Sequence, residues 1–159
     1  MSSSVRSALI VSLLLFAAVP RAFAADPSVE ARLDAQGIQY EVDEDGDYKI
    51  TYAFEGEDRS QLVFVGGGTE TVGGYVIREV FAPAARVDRD GVSGDVALEL
   101  LADSRTNKLG AWEIGGEVLY FTIKLPDSVD GAQLETALAL AAQLADEMEK
   151  KLSGDLDEL

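Results

Sequence analysis

The side chains in this sequence that could do chemistry are mostly carboxylates, and their densest run is Glu41-Val42-Asp43-Glu44-Asp45-Gly46-Asp47. Aligned on the glycine that a calcium loop needs at its sixth position, the run puts Glu41, Asp43 and Asp45 at the first, third and fifth positions, where oxygen ligands belong. The twelfth position, which should supply a bidentate Glu, is Tyr52 inside a strand pattern, and no helix flanks the loop. Residues 41–47 therefore read as an acidic hairpin turn in which Asp and Gly supply the turn conformations. Weak adventitious calcium binding is the one metal chemistry left to it, and no metal site is assigned. Val87-Asp88-Arg89-Asp90-Gly91 departs further, since its first ligand position would be Arg86.

Gly66-Gly67-Gly68 after a strand pattern suggests a phosphate cradle. However, Thr71 stands where G-x-G-x-x-G requires glycine, no Gly-Lys-Ser/Thr follows, and no helix begins there. A flexible loop over Gly66 to Gly74 is the expectation. Paired carboxylates could hydrolyse a glycosidic bond, but with 29 acidic residues in the chain any one pair is uninformative. Trp112, Tyr120 and Phe121 could form a stacking platform, but their alternation fits sheet faces equally well, and core packing is the expectation. Arg78-Glu79 interrupts an apolar strand, and a cross-strand ion pair on the wet face is expected for it.

Composition narrows the chemistry. The 159 residues include no cysteine and no histidine. That removes disulfides, thiolate nucleophiles, iron–sulfur clusters, imidazole bases and the usual zinc, copper and haem sites. With 13 basic against 29 acidic residues the net charge is −16, which disfavours nucleic acid and anionic lipid as partners because both select cationic patches. No catalytic or cofactor-binding residue is assigned and the chain is expected not to be an enzyme. A carboxylate-only or calcium-dependent hydrolase is the alternative.

The N-terminus reads as a secretory signal over residues 1–24. Arg6 supplies the positive region, Ala8 to Val19 the apolar stretch, and Ala22-Phe23-Ala24 the A-x-A cleavage site. The apolar stretch is too short to span a hydrocarbon core of roughly 30 Å. Removing residues 1–24 takes away Arg6 and Arg21 and no acid, so the net charge moves from −16 to −18. A periplasmic or secreted location follows, with no membrane association after cleavage.

The rest reads as one α+β domain over residues 26–153, with a frayed acidic tail at 154–159. Asp26-Pro27-Ser28 opens a short helix carrying Val29 and Leu33 and stopped by Gly37. From Ile38 the period becomes two: Tyr40 and Val42, then Tyr48, Ile50, Tyr52 and Phe54, predict a hairpin. After a polar turn from Glu55 to Ser60, Leu62-Val63-Phe64-Val65 is apolar at every position, as in a strand covered on both faces. Tyr75 to Phe81 forms the next strand, expected to end at Pro83.

Ser93 is the N-cap candidate of a second helix with Ala97, Leu98, Leu100 and Leu101 facing inward and Gly110 ending it. Ala111–Ile114 and Val118–Leu125 form a hairpin around Gly115-Gly116. A long amphipathic helix closes the domain, with Asp130 and Gln133 as a capping box and Leu134, Leu138, Ala141, Ala145, Met148 and Leu152 at helical spacing, widened by Leu140 and Leu144. Its Ala-rich stripe suits burial within the monomer and would also admit a second copy of the chain. The element order is α-β-β-β(-β)-α-β-β-α: an antiparallel sheet packed with helices.

Four stretches resemble the YbjN-like family, which shares the fold of type III secretion chaperones. They are Gly37 to Tyr48, Val76-Ile77-Arg78-Glu79-Val80-Phe81, Leu100-Leu101 through Asn107-Lys108-Leu109-Gly110-Ala111-Trp112-Glu113, and Leu134 to Met148. The matching residues are packing and turn motifs. The resemblance implies a non-enzymatic regulatory or chaperone-like module, often dimeric, that holds a protein or peptide segment. The export signal departs from a cytoplasmic secretion chaperone, so the expected partner is a periplasmic or extracellular protein or peptide, with a homodimer as an additional expectation.

Overall fold

The computed structural model describes residues 26–54 and 59–154. The export signal expected at residues 1–24, most of the polar turn after Phe54 and the tail beyond Gly154 lie outside the described residues. Asp26 caps the first helix, α1 (Pro27–Ala35), by accepting the Ser28 N–H at 2.9 Å, and Val29 and Leu33 fall on one buried side. The strands are β1 (Glu41–Val42), β2 (Tyr48–Ala53), β3 (Ser60–Val65), β4 (Glu70–Val72) and β5 (Tyr75–Arg86). Helix α2 (Asp95–Thr106), strands β6 (Ala111–Gly115) and β7 (Val118–Pro126), and helix α3 (Gly131–Ser153) complete the chain. The fold is α+β. All pairings are antiparallel in the order β1-β2-β3-β5-β7-β6, and β4 pairs the start of β5.

Side-chain alternation divides the sheet into two unlike faces. Tyr48, Ile50, Val63, Val65, Val80, Leu119, Phe121 and Ile123 are buried on the face that α3 covers, and α1 packs on α3. The capping box of α3 forms as the sequence predicts, with Asp130 accepting the Gln133 N–H and the Gln133 side chain accepting the Asp130 N–H. Its small-residue stripe, Ala137, Ala141, Ala142 and Ala145, is buried within the chain and so is not a surface for a second copy. Arg59, just before β3, ties down the far end of this helix: it donates to Asp146 at 2.8 Å and to the fully buried Glu149 at 2.9 Å.

Several expectations are corrected. Residues 66–74 are no flexible loop: Gly66, Gly67 and Gly68 turn their carbonyls onto the Arg78 guanidinium, and β4 follows. Pro83 does not end β5, which runs to Arg86 through a bulge that leaves Ala84 unpaired. In a strand the N–H and C=O of a residue point to the same neighbour, and the Pro83 carbonyl takes a hydrogen bond from the buried Gln61 side chain of β3 at 2.7 Å. The missing N–H therefore lies on the β3 side, where the β3–β5 ladder has already stopped at Phe81. Helix α2 is capped by Gly94 without a side chain and ends at Asn107; it buries only Leu100, leaving Leu98 and Leu101 64% and 70% exposed. The turn of the second hairpin is Gly116-Glu117, one residue later than the paired glycines suggest.

Arg78 itself is a further correction. It points away from the wet face and is 3% exposed beneath the helical layer. Its guanidinium donates to Asp127 at 2.6 Å and to Asp26, while Arg32 of α1 donates to the same Asp127 oxygen at 3.1 Å. The neighbouring Glu79 points to the opposite face, 3.7 Å from Lys124. Removing one partner of a buried pair strands the other charges, so Arg78→Met should lower the unfolding free energy by about 3 kcal/mol in urea titration. Asp26 is held below the ordinary carboxylate range by the Ser28 N–H, against burial and with help from Arg78. Burial would raise Asp127, but the hydrogen bonds from Arg78 and Arg32 hold it low. Depressed carboxylates stabilise the fold above about pH 4 and lose that contribution as pH falls through their lower folded values. The unfolding midpoint should therefore fall on acidification below about pH 4, and fall less steeply in Arg78→Met.

Candidate functional site

Strand β3 is apolar on both sides, but only one side is covered. Val63 and Val65 are fully buried under α3, while Leu62 and Phe64 face outward, half-buried, and no described helix packs over them. Register lines up their neighbours. Phe64 pairs with Phe81, ring centroids 5.2 Å apart and stacked within 6°, and Phe81 meets Tyr120 edge-on at 5.8 Å. This aromatic row crosses β3, β5 and β7 on the open face.

The β4–β5 hairpin and the acidic turn rise along that face and make it concave. On one side of Phe81 lies a hollow of about 870 Å³ with Ile77, Val72 and Tyr75 in its apolar lining and Glu70, Glu79 and Lys124 at its edge. On the other, a hollow of about 480 Å³ is lined by Leu62, Phe64, Pro83 and Tyr120 and edged by Asp43, Asp45 and Arg86. Phe81 and Asp47 line both, so the two hollows form one trough.

The rim charges are unevenly compensated. Lys49 pairs with Glu41 at 2.7 Å, and Lys124 with Glu113 at 2.6 Å. No salt bridge reaches Asp43, Asp45 or Asp47 among the described residues. Asp43 accepts the N–H groups of Asp45 and Asp47 at 3.0 and 2.9 Å, which shapes the turn, and Asp47 accepts the Gly67 N–H at 2.8 Å. Burial pushes the Asp47 carboxyl above its ordinary range; the Gly67 N–H opposes this, and the charges of Asp43 and Asp45 add to it. Among the described residues no group of three acids is arranged to hold a metal ion, and Tyr52 lies in β2. The glycine run presents carbonyls to a cation, the reverse of a phosphate cradle, in which N–H groups converge.

A second concavity of about 640 Å³ lies between α2 and the last turns of α3, lined by Val96, Leu100, Trp112, Leu144, Met148 and Leu152 among others. Its Trp112 is pinned by an indole N–H to Asp103 at 2.7 Å and packs edge-on against Phe121 at 5.0 Å. The sequence group Trp112, Tyr120 and Phe121 is therefore split: Trp112 and Phe121 belong to the helix face, and Tyr120 to the trough. The sequence pattern places Leu62, Phe64, Ile77 and Phe81 in strands and Asp47 in the acidic turn, but assigns none of them to a binding site. The signal for the apolar ones was a strand apolar on both sides, with a single layer of helix over the sheet among the described residues. No family model matches the chain, and no curated protein sequence matches it either.

The acidic turn is locked to the glycine loop by close approach. A Cβ on Gly67 would sit 2.0 Å from the Gly46 carbonyl oxygen, so Gly67→Ala should force turn and loop apart and cost about 1–3 kcal/mol, read from chemical unfolding. Asp47 gives a pH dependence of opposite sign to that of Asp26. Its raised folded pKa favours the fold below the ordinary carboxylate value, and that contribution is lost as pH rises through the folded value. Asp47→Asn retains an acceptor for Gly67, so relative to the parent its unfolding midpoint should be more favourable at neutral pH than below about pH 4.

Proposed function

We propose that this protein is a non-enzymatic binding module that holds an apolar segment of a protein partner in the trough on the open face of its sheet. The observation that carries this reading is the one-sided cover of β3: Leu62 and Phe64 continue into Phe81 and Tyr120 as an aromatic row with no helix over it among the described residues. Half-exposed aromatic and aliphatic side chains in a concavity of this size are the usual anchors of segment recognition. The α2–α3 concavity is shorter of exposed aromatic surface, since Trp112 is already held by Asp103 and Phe121.

The resemblance to the YbjN-like family and to secretion chaperones, and the absence of cysteine and histidine, fit a holding role better than a catalytic one. With the export signal expected at residues 1–24, the proposed partner is a periplasmic or extracellular one. Acidity makes nucleic acid and anionic lipid poor partners, and the same field steers basic segments inward.

Selection from a random peptide library, followed by amide shift mapping, tests this reading. Binders should perturb Leu62, Phe64, Phe81 and Tyr120, and Phe81→Ala should abolish their binding while the chain remains folded by circular dichroism, because Phe81 lies outside the helix-covered core. Perturbations confined to the α2–α3 concavity, or a stable protein that selects no binder, would count against it.

A further inference from the structure

Resting on the segment-binding reading, we infer that the trough selects segments in which a lysine or arginine stands among bulky apolar residues, the cation seated at Asp47 where the two hollows meet. Three features lead there. Asp47 belongs to the lining of both hollows, so a segment crossing Phe81 passes it. Its position is fixed, because one oxygen is spent on the Gly67 N–H at 2.8 Å and the close approach of Gly67 to Gly46 stops the turn from swinging. The other oxygen and the charges of Asp43 and Asp45 have no salt-bridge partner among the described residues.

A cationic side chain placed there would complete a charge-assisted hydrogen bond in a partly desolvated setting and relieve the repulsion within the turn. Phe81 and Tyr120, which line the hollow alongside, offer apolar surface to the aliphatic stem of a lysine or arginine. Other occupants fit less well. A second copy of the chain would bring its own acidic rim against this one, in a protein of net charge −16. An acidic segment would be repelled, and a bare divalent cation lacks a three-acid ligand set among the described residues.

The test uses synthetic peptides that share one Phe- and Leu-containing sequence and differ only in a central Lys, Arg, Gln or Glu. Affinity is read by fluorescence anisotropy at about 50 and 500 mM salt, which spans strong and weak screening. The Lys and Arg peptides should bind about tenfold or more tightly than the Gln peptide, as for a close interfacial charge pair, with Glu weakest. High salt should narrow the gap. Asp47→Asn should erase most of the advantage while leaving the Gln peptide unchanged, and Asp45→Asn, which makes no contact with Gly67, should keep most of it. Equal binding of Lys and Gln peptides, or an advantage that survives in Asp47→Asn, overturns this inference and leaves the segment-binding reading standing. Failure of every peptide, charged or neutral, to bind the folded protein overturns both.

Discussion

A single buried guanidinium joins the parts of this fold that the chain itself does not join. Arg78 sits on β5, and its hydrogen bonds reach the cap of α1 through Asp26, the β7–α3 connection through Asp127, and the glycine loop through the carbonyls of residues 66–68. Each group would be costly to bury alone. Together they are mutually satisfied, and Arg32 completes the set from α1 by donating to the carbonyls of Asp127 and Val129. The acidic turn then gains its position through the same loop, because Gly67 both donates to Asp47 and lies against Gly46. The edge of the trough thus depends on an ion pair on the opposite side of the sheet.

Uneven cover follows from the number of helices and their placement. Helix α3 spans β3, β5 and β7 on one face, with α1 packed on α3, while α2 sits beside β6 and contributes a single fully buried residue, Leu100. Nothing among the described helices remains for the other face, although its strands carry Leu62, Phe64, Phe81 and Tyr120. An isolated surface leucine requires no explanation, whereas a contiguous aromatic row in a hollow does. The bulge at Ala84 contributes to its shape by adding a residue to β5 and restoring Ala85 to the covered side opposite Leu119.

Much of the architecture was legible because it rests on local rules. The capping box at Asp130, the Asp26 cap with Pro27 behind it, the stop at Gly37 and the strand alternation from Tyr48 to Ala53 depend on residues a few positions apart. The errors lie where distant groups override a local tendency. Pro83 ends a strand only if its N–H is needed, and here the neighbouring ladder has already stopped. A run of glycines is mobile only if nothing binds its carbonyls, and here Arg78 does. Leu98 and Leu101 look like core residues until the packing of α2 leaves them on its outer side.

Composition alone settled what chemistry the chain lacks, since no arrangement can supply an imidazole or a thiol that the sequence does not contain. Periodicity determined the element types and the α+β class, because apolar spacing acts within a few residues. Tertiary structure decided which face of the sheet was covered, that Arg78 would be buried and Glu79 exposed, and that Phe64, Phe81 and Tyr120 would meet beside Asp47. Strand register and layer order join residues far apart in the chain, and alternation along one strand specifies only that two faces exist, not what lies over either.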